Sequence, residues 1–167
     1  MEKTEQRKKC VFAGSFDPPT LGHKAVVEDA LKMFDEVVVA LLVNPAKTPC
    51  FTVEERLEML KLTFQGLSRV KIKQFSGTVA ALLDEEGTDV YVRGIRNTVD
   101  FEYENANLFA SRKLNENITA AYLPCRQELL HVSSGLVRSS LQFGTPIKEY
   151  VTEEVEAYIR SVYKIGV

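Results

Sequence analysis

Between Glu36 and Val43 the chain reads EVVVALLV, an unbroken β-branched and aliphatic run. An antiparallel strand with one wet face alternates apolar and polar residues, whereas a strand covered on both faces does not. The run therefore predicts a parallel strand in the middle of a sheet. Its surroundings agree. Short strand candidates occur at Cys10–Ala13 (CVFA), in VKIKQF, in DVYVRG and in ITAAYL, and VKIKQF alternates, which places it less centrally. Helical patterns separate them. His23 to Phe34 spaces Val27, Ala30, Leu31 and Phe34 along one face, and TVEE at Thr52–Glu55 is a capping box opening a helix to about Phe64. TVAALLDEEG closes on Gly87, and Val99 to Leu114 reads as a long helix. The fold class expected from this alternation is α/β, a Rossmann-like doubly wound sheet of five parallel strands with C-terminal helices, the last capped by Thr152 ahead of Glu153 and Glu154.

With 167 residues, 45 % of them hydrophobic, the chain is expected to form a single domain over residues 1–167, with residues 1–9 as a polar tail. The net charge of −2 supplies no general attraction for nucleic acid or an anionic membrane, so neither is an expected partner. Cys10, Cys50 and Cys125 are odd in number, far apart and without CxxC spacing, which argues against a disulfide framework and against a zinc site. A reducing cytoplasm is the expected location. The charged start MEKTEQRKK precedes no apolar segment of signal-peptide or membrane-spanning length.

Doubly wound sheets bind ligands beyond the carboxyl ends of their strands, where the winding reverses. That rule selects AGSFDPPTLGH (Ala13–His23), after the first strand, and RGIR (Arg93–Arg96), after the fourth. Neither the Walker pattern nor GxGxxG is present in the first. Instead Gly14 and Gly22 allow close backbone approach, Pro18 and Pro19 stiffen the turn, and His23 falls near a helix N-terminus, where amides and dipole favour an anion such as phosphate. A third stretch, HVSSGLVRSS (His131–Ser140), leads a cluster of hydroxyls into a short helix expected to end at Arg138. Taken singly, His23 also reads as a hydrogen-bonded structural histidine, Ser133 or Ser134 as an ordinary N-cap, and Lys47 and Glu104 as exposed charges.

TLGH at a strand-to-helix turn resembles the Thr-x-Gly-His signature of nucleotidyltransferases that share an active-site architecture with class I aminoacyl-tRNA synthetases. Together with FDEVVVALLVNPAKTPCFTVEER, VYVRGIRNTVDFEYE and VSSGLVR, in this order and spacing, the chain resembles the phosphopantetheine adenylyltransferase family from about Cys10 to Tyr158. The resemblance implies transfer of AMP from ATP to 4′-phosphopantetheine, giving dephospho-coenzyme A and pyrophosphate, the penultimate step of coenzyme A synthesis. It implies Mg²⁺ bound mainly through the ATP phosphates, a homohexamer, and coenzyme A as a candidate feedback ligand. Carried over by position, His23 stabilises the transition state. Ser15 and Phe16 touch both substrates, with the Ser15 hydroxyl on the attacking phosphate. Gly94, Ile95, Arg96 and Glu104 contact ATP, as do Leu129, Leu130, His131, Val132, Ser133, Ser134 and Gly135. Lys47 and Arg93 hold the phosphopantetheine phosphate, and Val79 lines the pantetheine arm. Gly135 stands where the family usually has a third hydroxyl, Leu129 where an aromatic is common, and Ser15 where threonine is frequent.

Those residue types suit the chemistry. Joining a phosphate monoester to the α-phosphorus of ATP brings two anions together, so cations and amide donors are needed where charge builds. The attacking phosphate is already ionised, and no protein nucleophile is required. No side-chain metal ligands are expected. Two other readings stay open at this level: nucleotidyl transfer to another phosphate, such as nicotinamide mononucleotide or glycerol phosphate, and a non-catalytic nucleotide-binding module inactivated at Gly135. NPAKTP and RGIR followed by DFEYE favour the pantetheine reaction over the first, and retention of Ser15, His23, Lys47, Arg93 and Arg96 argues against the second.

Overall fold

A computed structural model describes residues 7–163. Strands β1 (Lys9–Gly14), β2 (Glu36–Leu42), β3 (Val70–Phe75), β4 (Val90–Ile95) and β5 (Thr119–Pro124) alternate with helices α1 (Leu21–Ala30), α2 (Val53–Phe64), α3 (Val79–Glu86) and α4 (Thr98–Arg112). Two further helices follow, α5 (Ser134–Phe143) and α6 (Glu153–Val162), after a single 3₁₀ turn at Gln127–Leu129. The sheet is parallel in the order β3-β2-β1-β4-β5. The alternating strand VKIKQF is an edge, as its pattern predicts, and EVVVALL lies inside.

Burial on both faces explains the unbroken run in β2. Val37 and Val39 join Phe12, Val27, Leu60 and Phe64 under α1 and α2, while Val38 and Ala40 join Val11, Leu82, Leu83 and Leu108 under α3 and α4. A third cluster, Met59, Val137, Leu141, Val155 and Ile159, packs α5 and α6 onto α2. Gly87 closes α3 at φ 66°, a left-handed position that glycine occupies without a Cβ penalty. Thr52 and Glu55 form the reciprocal capping box, and Thr152 caps α6.

Some boundaries differ from the sequence reading, each for a local reason. Helix α1 starts at Leu21 rather than His23, because Thr20 and His23 cap each other across its first turn. It stops at Ala30, where Leu31 to Met33 form a turn. Helix α5 continues past Arg138 to Phe143, ending at a left-handed Gly144. Lys9, assigned to the tail, begins β1 and donates to the carbonyl of Glu86; residues 1–6 of that tail lie outside the described residues. Among the described residues no helix is long and apolar enough to cross a membrane.

The winding reverses between β1 and β4. Their ladder consists of the pair Val11 and Tyr91, whereas β1 and β2 remain in register from Lys9–Glu36 to Gly14–Leu41. Beyond that point the Arg93 side chain, rather than its backbone, reaches across to donate to the Ala13 carbonyl. The sheet opens there at its carboxyl end. Gly94 sits at the floor of the opening, where a Cβ would stand 2.6 Å from Cγ2 of Val26 on α1, so a larger residue would push helix and strand apart.

Candidate active site

The β1–α1 turn lines one wall of a cleft of about 330 Å³ at this opening. Phe16 adopts φ 44°, the one positive φ outside glycine among the described residues, and its ring is 3 % exposed. That ring folds back beneath Gly14 and meets His23 edge-on, with centroids 5.0 Å apart. A sterically costly backbone of this kind persists only when its surroundings over-determine it. Here they do. Arg56 of α2 donates to the Ser15 carbonyl (2.9 Å), Arg138 of α5 to the Asp17 carbonyl (2.7 Å), and the Ser134 hydroxyl to the Pro18 carbonyl (2.7 Å).

His23 is the third residue of α1. Its Nδ1 accepts the backbone N–H of Thr20 at 3.0 Å and lies 3.1 Å from the Thr20 hydroxyl, while the His23 amide donates to that hydroxyl. An Nδ1 that accepts an amide hydrogen leaves the imidazole proton on Nε2. Burial, and then the positive charges of Arg93 and Arg96, lower the His23 pKa to about 4. At neutral pH the ring is an uncharged Nε2–H donor, held by a capping interaction and kept neutral by its burial and by the two arginines.

The opposite wall comes from β4 and α4. The Arg93 guanidinium pairs with Glu104 and lies over the Tyr91 ring at 5.4 Å. Arg96 clasps Asp100 through two nitrogens (2.9 and 3.2 Å), which holds the Asp100 carboxyl below its usual range. Ser133 caps α5 by accepting from Leu136, so the amides of that helix start face the cleft beside Val132, Ser134 and Leu129.

The structure thus brings Ser15, Phe16, His23, Arg93, Gly94, Arg96, Glu104, Leu129, Val132, Ser133 and Ser134 around one space. It does not place the other expected residues there. Ile95, the last residue of β4, is not among the residues that line the cleft, although Gly94 and Arg96 on either side of it are. Leu130 and His131 are exposed, His131 standing edge-on to Tyr150. Gly135 lies on the first turn of α5 beside Ser133 and Arg138, and Val79 packs on the α3 side of the core. Lys47 lines a second, neighbouring cavity of about 590 Å³ with Asn44, Arg56 and Gln142. Ser15, Asp17 and Arg138 border both cavities. Asp17 and Asp100 also line the cleft and are not named by the motif reading, which quotes Thr20 within TLGH but gives it no role of its own. Its place three residues before His23 is the spacing of a reciprocal cap, which the structure forms.

Chemically, the arrangement can hold two anions side by side. Cations line both cavities, the N-termini of α1 and α5 line the first, and an uncharged donor stands on the wall of the first. The three acids of the first cleft are each engaged: Asp17 with two amides, Asp100 with Arg96 and Glu104 with Arg93.

Comparison with known proteins agrees with this geometry. The family model described as Cytidylyltransferase-like matches residues 11–140. A phosphopantetheine adenylyltransferase of Symbiobacterium thermophilum is 44 % identical over 86 % of this chain and 88 % of its own length. That of Thermotoga neapolitana is 37 % identical over 93 % of this chain and 97 % of its own. A crystal structure from Vibrio parahaemolyticus, assigned provisionally as a nicotinate-nucleotide adenylyltransferase, superposes with a TM-score of 0.72 over 93 % of both chains at 24 % identity, a likeness of fold.

Proposed function

The chain belongs to the phosphopantetheine adenylyltransferase family, and on that premise we propose that it transfers AMP from ATP to 4′-phosphopantetheine, releasing pyrophosphate and dephospho-coenzyme A. The observation that carries this reading is the pair of cavities meeting at Ser15. ATP occupies the first, its phosphates over the N-termini of α1 and α5. Phosphopantetheine occupies the second, its phosphate reaching the junction between Lys47 on one side and Arg93 on the other, with the Ser15 hydroxyl donating to it.

An oxygen of that phosphate attacks the α-phosphorus in line, and pyrophosphate leaves on the opposite side. Negative charge grows on the equatorial oxygens of the α-phosphate as the two anions close. The Nε2–H of His23 is already aimed and desolvated, so it stabilises that charge without reorganising. Arg96 and the α5 amides hold the departing phosphates. Mg²⁺ enters with ATP as part of the substrate and offsets phosphate charge.

Three further features belong to the same reading. Val99, Tyr103 and Phe109 of α4 are exposed apolar residues, which supports assembly into the homohexamer. Coenzyme A shares the pantetheine arm with the acceptor and binds as a feedback ligand. The enzyme works in the cytoplasm, with its cysteines free, as Cys10, Cys50 and Cys125 are here.

Purified protein supplied with Mg–ATP and phosphopantetheine is expected to release pyrophosphate and dephospho-coenzyme A in equal amounts. No product from this pair, with nicotinamide mononucleotide consumed instead, would replace the reading with the related nucleotidyl transfer.

A further inference from the structure

Asp17 stands between the two cavities and is 9 % exposed. Its carboxylate faces Arg138, whose Nη1 stands 4.0 Å from Oδ2, but its hydrogen bonds go to backbone amides. One oxygen accepts the amide of Cys50 at 2.8 Å and the other the amide of Phe51 at 2.9 Å. Its backbone carbonyl accepts from Arg138. A single residue therefore ties the β1–α1 turn to the middle of α5 on one side and to the end of the β2–α2 loop on the other.

The loop it holds has little else to hold it. Asn44 to Cys50 are exposed throughout, and inside the segment two short-range bonds recur on Asn44, from the amides of Ala46 and Lys47. Its first end continues β2, where Val43 donates to Phe75. Its second end is fixed where Asp17 receives the two amides. Lys47 lies between these ends and lines the second cavity, in which Asp17 is the one acid among the cations Lys47, Arg56 and Arg138. A free carboxylate there would repel a phosphate. Bound by two N–H donors and facing Arg138, this one keeps its charge but fixes the end of the loop that carries Lys47.

We infer that Asp17 is a positioning residue, a latch that sets the Lys47 loop against the reacting junction and so fixes acceptor affinity. This rests on the reading of the second cavity as the acceptor site. The energetic logic is entropic: a loop that must be ordered on binding lowers apparent affinity, and a preformed anchor removes that cost.

Asp17→Asn keeps the shape but loses one acceptor and turns an N–H toward an N–H; Asp17→Ala loses both bonds. Steady-state kinetics should show Asp17→Asn raising the KM for phosphopantetheine about tenfold, the scale of one charge-assisted hydrogen bond, with kcat and the KM for ATP within about threefold of wild type. Asp17→Ala should extend the same trend. In parallel, hydrogen exchange of the Cys50 and Phe51 amides should quicken about tenfold or more in Asp17→Asn. A KM that rises equally for both substrates, or unchanged exchange at these amides, overturns the latch. If wild type proves inactive toward phosphopantetheine, the functional reading fails on its own, and exchange at the two amides still decides the latch. Should Asp17→Ala not fold, the Asp17→Asn measurements decide alone.

Discussion

The two loops that meet at Ser15 are built in opposite ways. The β1–α1 turn is buried from Phe16 to Thr20, and three successive donors from α2 and α5 clamp its carbonyls. The β2–α2 loop, from Asn44 to Cys50, is exposed and anchored at its ends. In the proposed reaction the first carries the group that acts on developing charge, where a displacement of an ångström would cost rate. The second carries a lysine that needs only to find a phosphate on a long, pliable substrate. On that proposal, rigidity is concentrated where the transition state forms, and adaptability where an acceptor must enter.

If that division holds, loss of the reacting group that the turn carries, His23, should appear in kcat, and damage to the loop or to its Asp17 anchor in KM. The largest effect is expected at His23. His23→Ala should lower kcat on the order of 10²–10³, about 2.7–4 kcal/mol, with the fold retained, because it removes a preorganised donor. A loss below about threefold would end the assignment. Next comes Lys47→Ala, which should weaken phosphopantetheine binding about tenfold or more and leave kcat near wild type. Pantetheine without its phosphate should bind wild type and variant alike. Calorimetry on the four combinations isolates the lysine–phosphate interaction, and equal weakening of both ligands would reduce Lys47 to a surface residue.

A smaller effect is expected at Gly135. A Cβ there would meet Arg138 and Ser133 at 3.8 Å, ordinary contact, so Gly135→Ser fits. Its added hydroxyl should change the KM for ATP only a few-fold, about 0.5–1.5 kcal/mol. A protein inactive as wild type but active as Gly135→Ser would favour the binding-module reading instead.

The smallest effect is an absence of change. With a pKa near 4, His23 should stay neutral from pH 8 down to about 5, and of the two histidines its NMR signal should titrate near 4. The sign for stability follows. The unfolded chain protonates this histidine near 6.5 and the folded one near 4, so its contribution is complete above about 6.5 and is lost as pH falls toward 4. Activity should decline earlier, below about pH 6, as the acceptor phosphate takes up its proton. A His23 midpoint near 6.5 would contradict the neutral donor.

Much of this was legible because periodicity and caps are local. EVVVALLV, TVEE and Gly87 place a buried strand, a helix start and a helix end without knowledge of the rest. The motif residues around His23, Arg96 and Ser133 were legible because a strand-to-helix turn carries them to the carboxyl edge of a doubly wound sheet. What escaped depends on distance in the chain. Asp17 meets Cys50 and Phe51, and Arg56 meets Ser15, only after α1 and α2 have packed, so no neighbouring residues signal these bonds. The mutual pairing of Arg93 and Glu104, expected on different substrates, likewise arises from β4 and α4 crossing. The separation of Lys47 into its own cavity follows from the length of the loop and the opening between β1 and β4, neither of which is written in a motif.

Both sides of the site are needed only if the two substrates react with each other directly, with no group of the protein carrying the adenylyl unit between them. Stereochemistry at phosphorus tests this without any variant. ATP made chiral by isotopes at the α-phosphorus, turned over with phosphopantetheine, should give dephospho-coenzyme A with inverted configuration, the outcome of a single in-line displacement. Net retention would mean two displacements through a covalent enzyme intermediate, and would contradict a site whose work is to hold two phosphates in line.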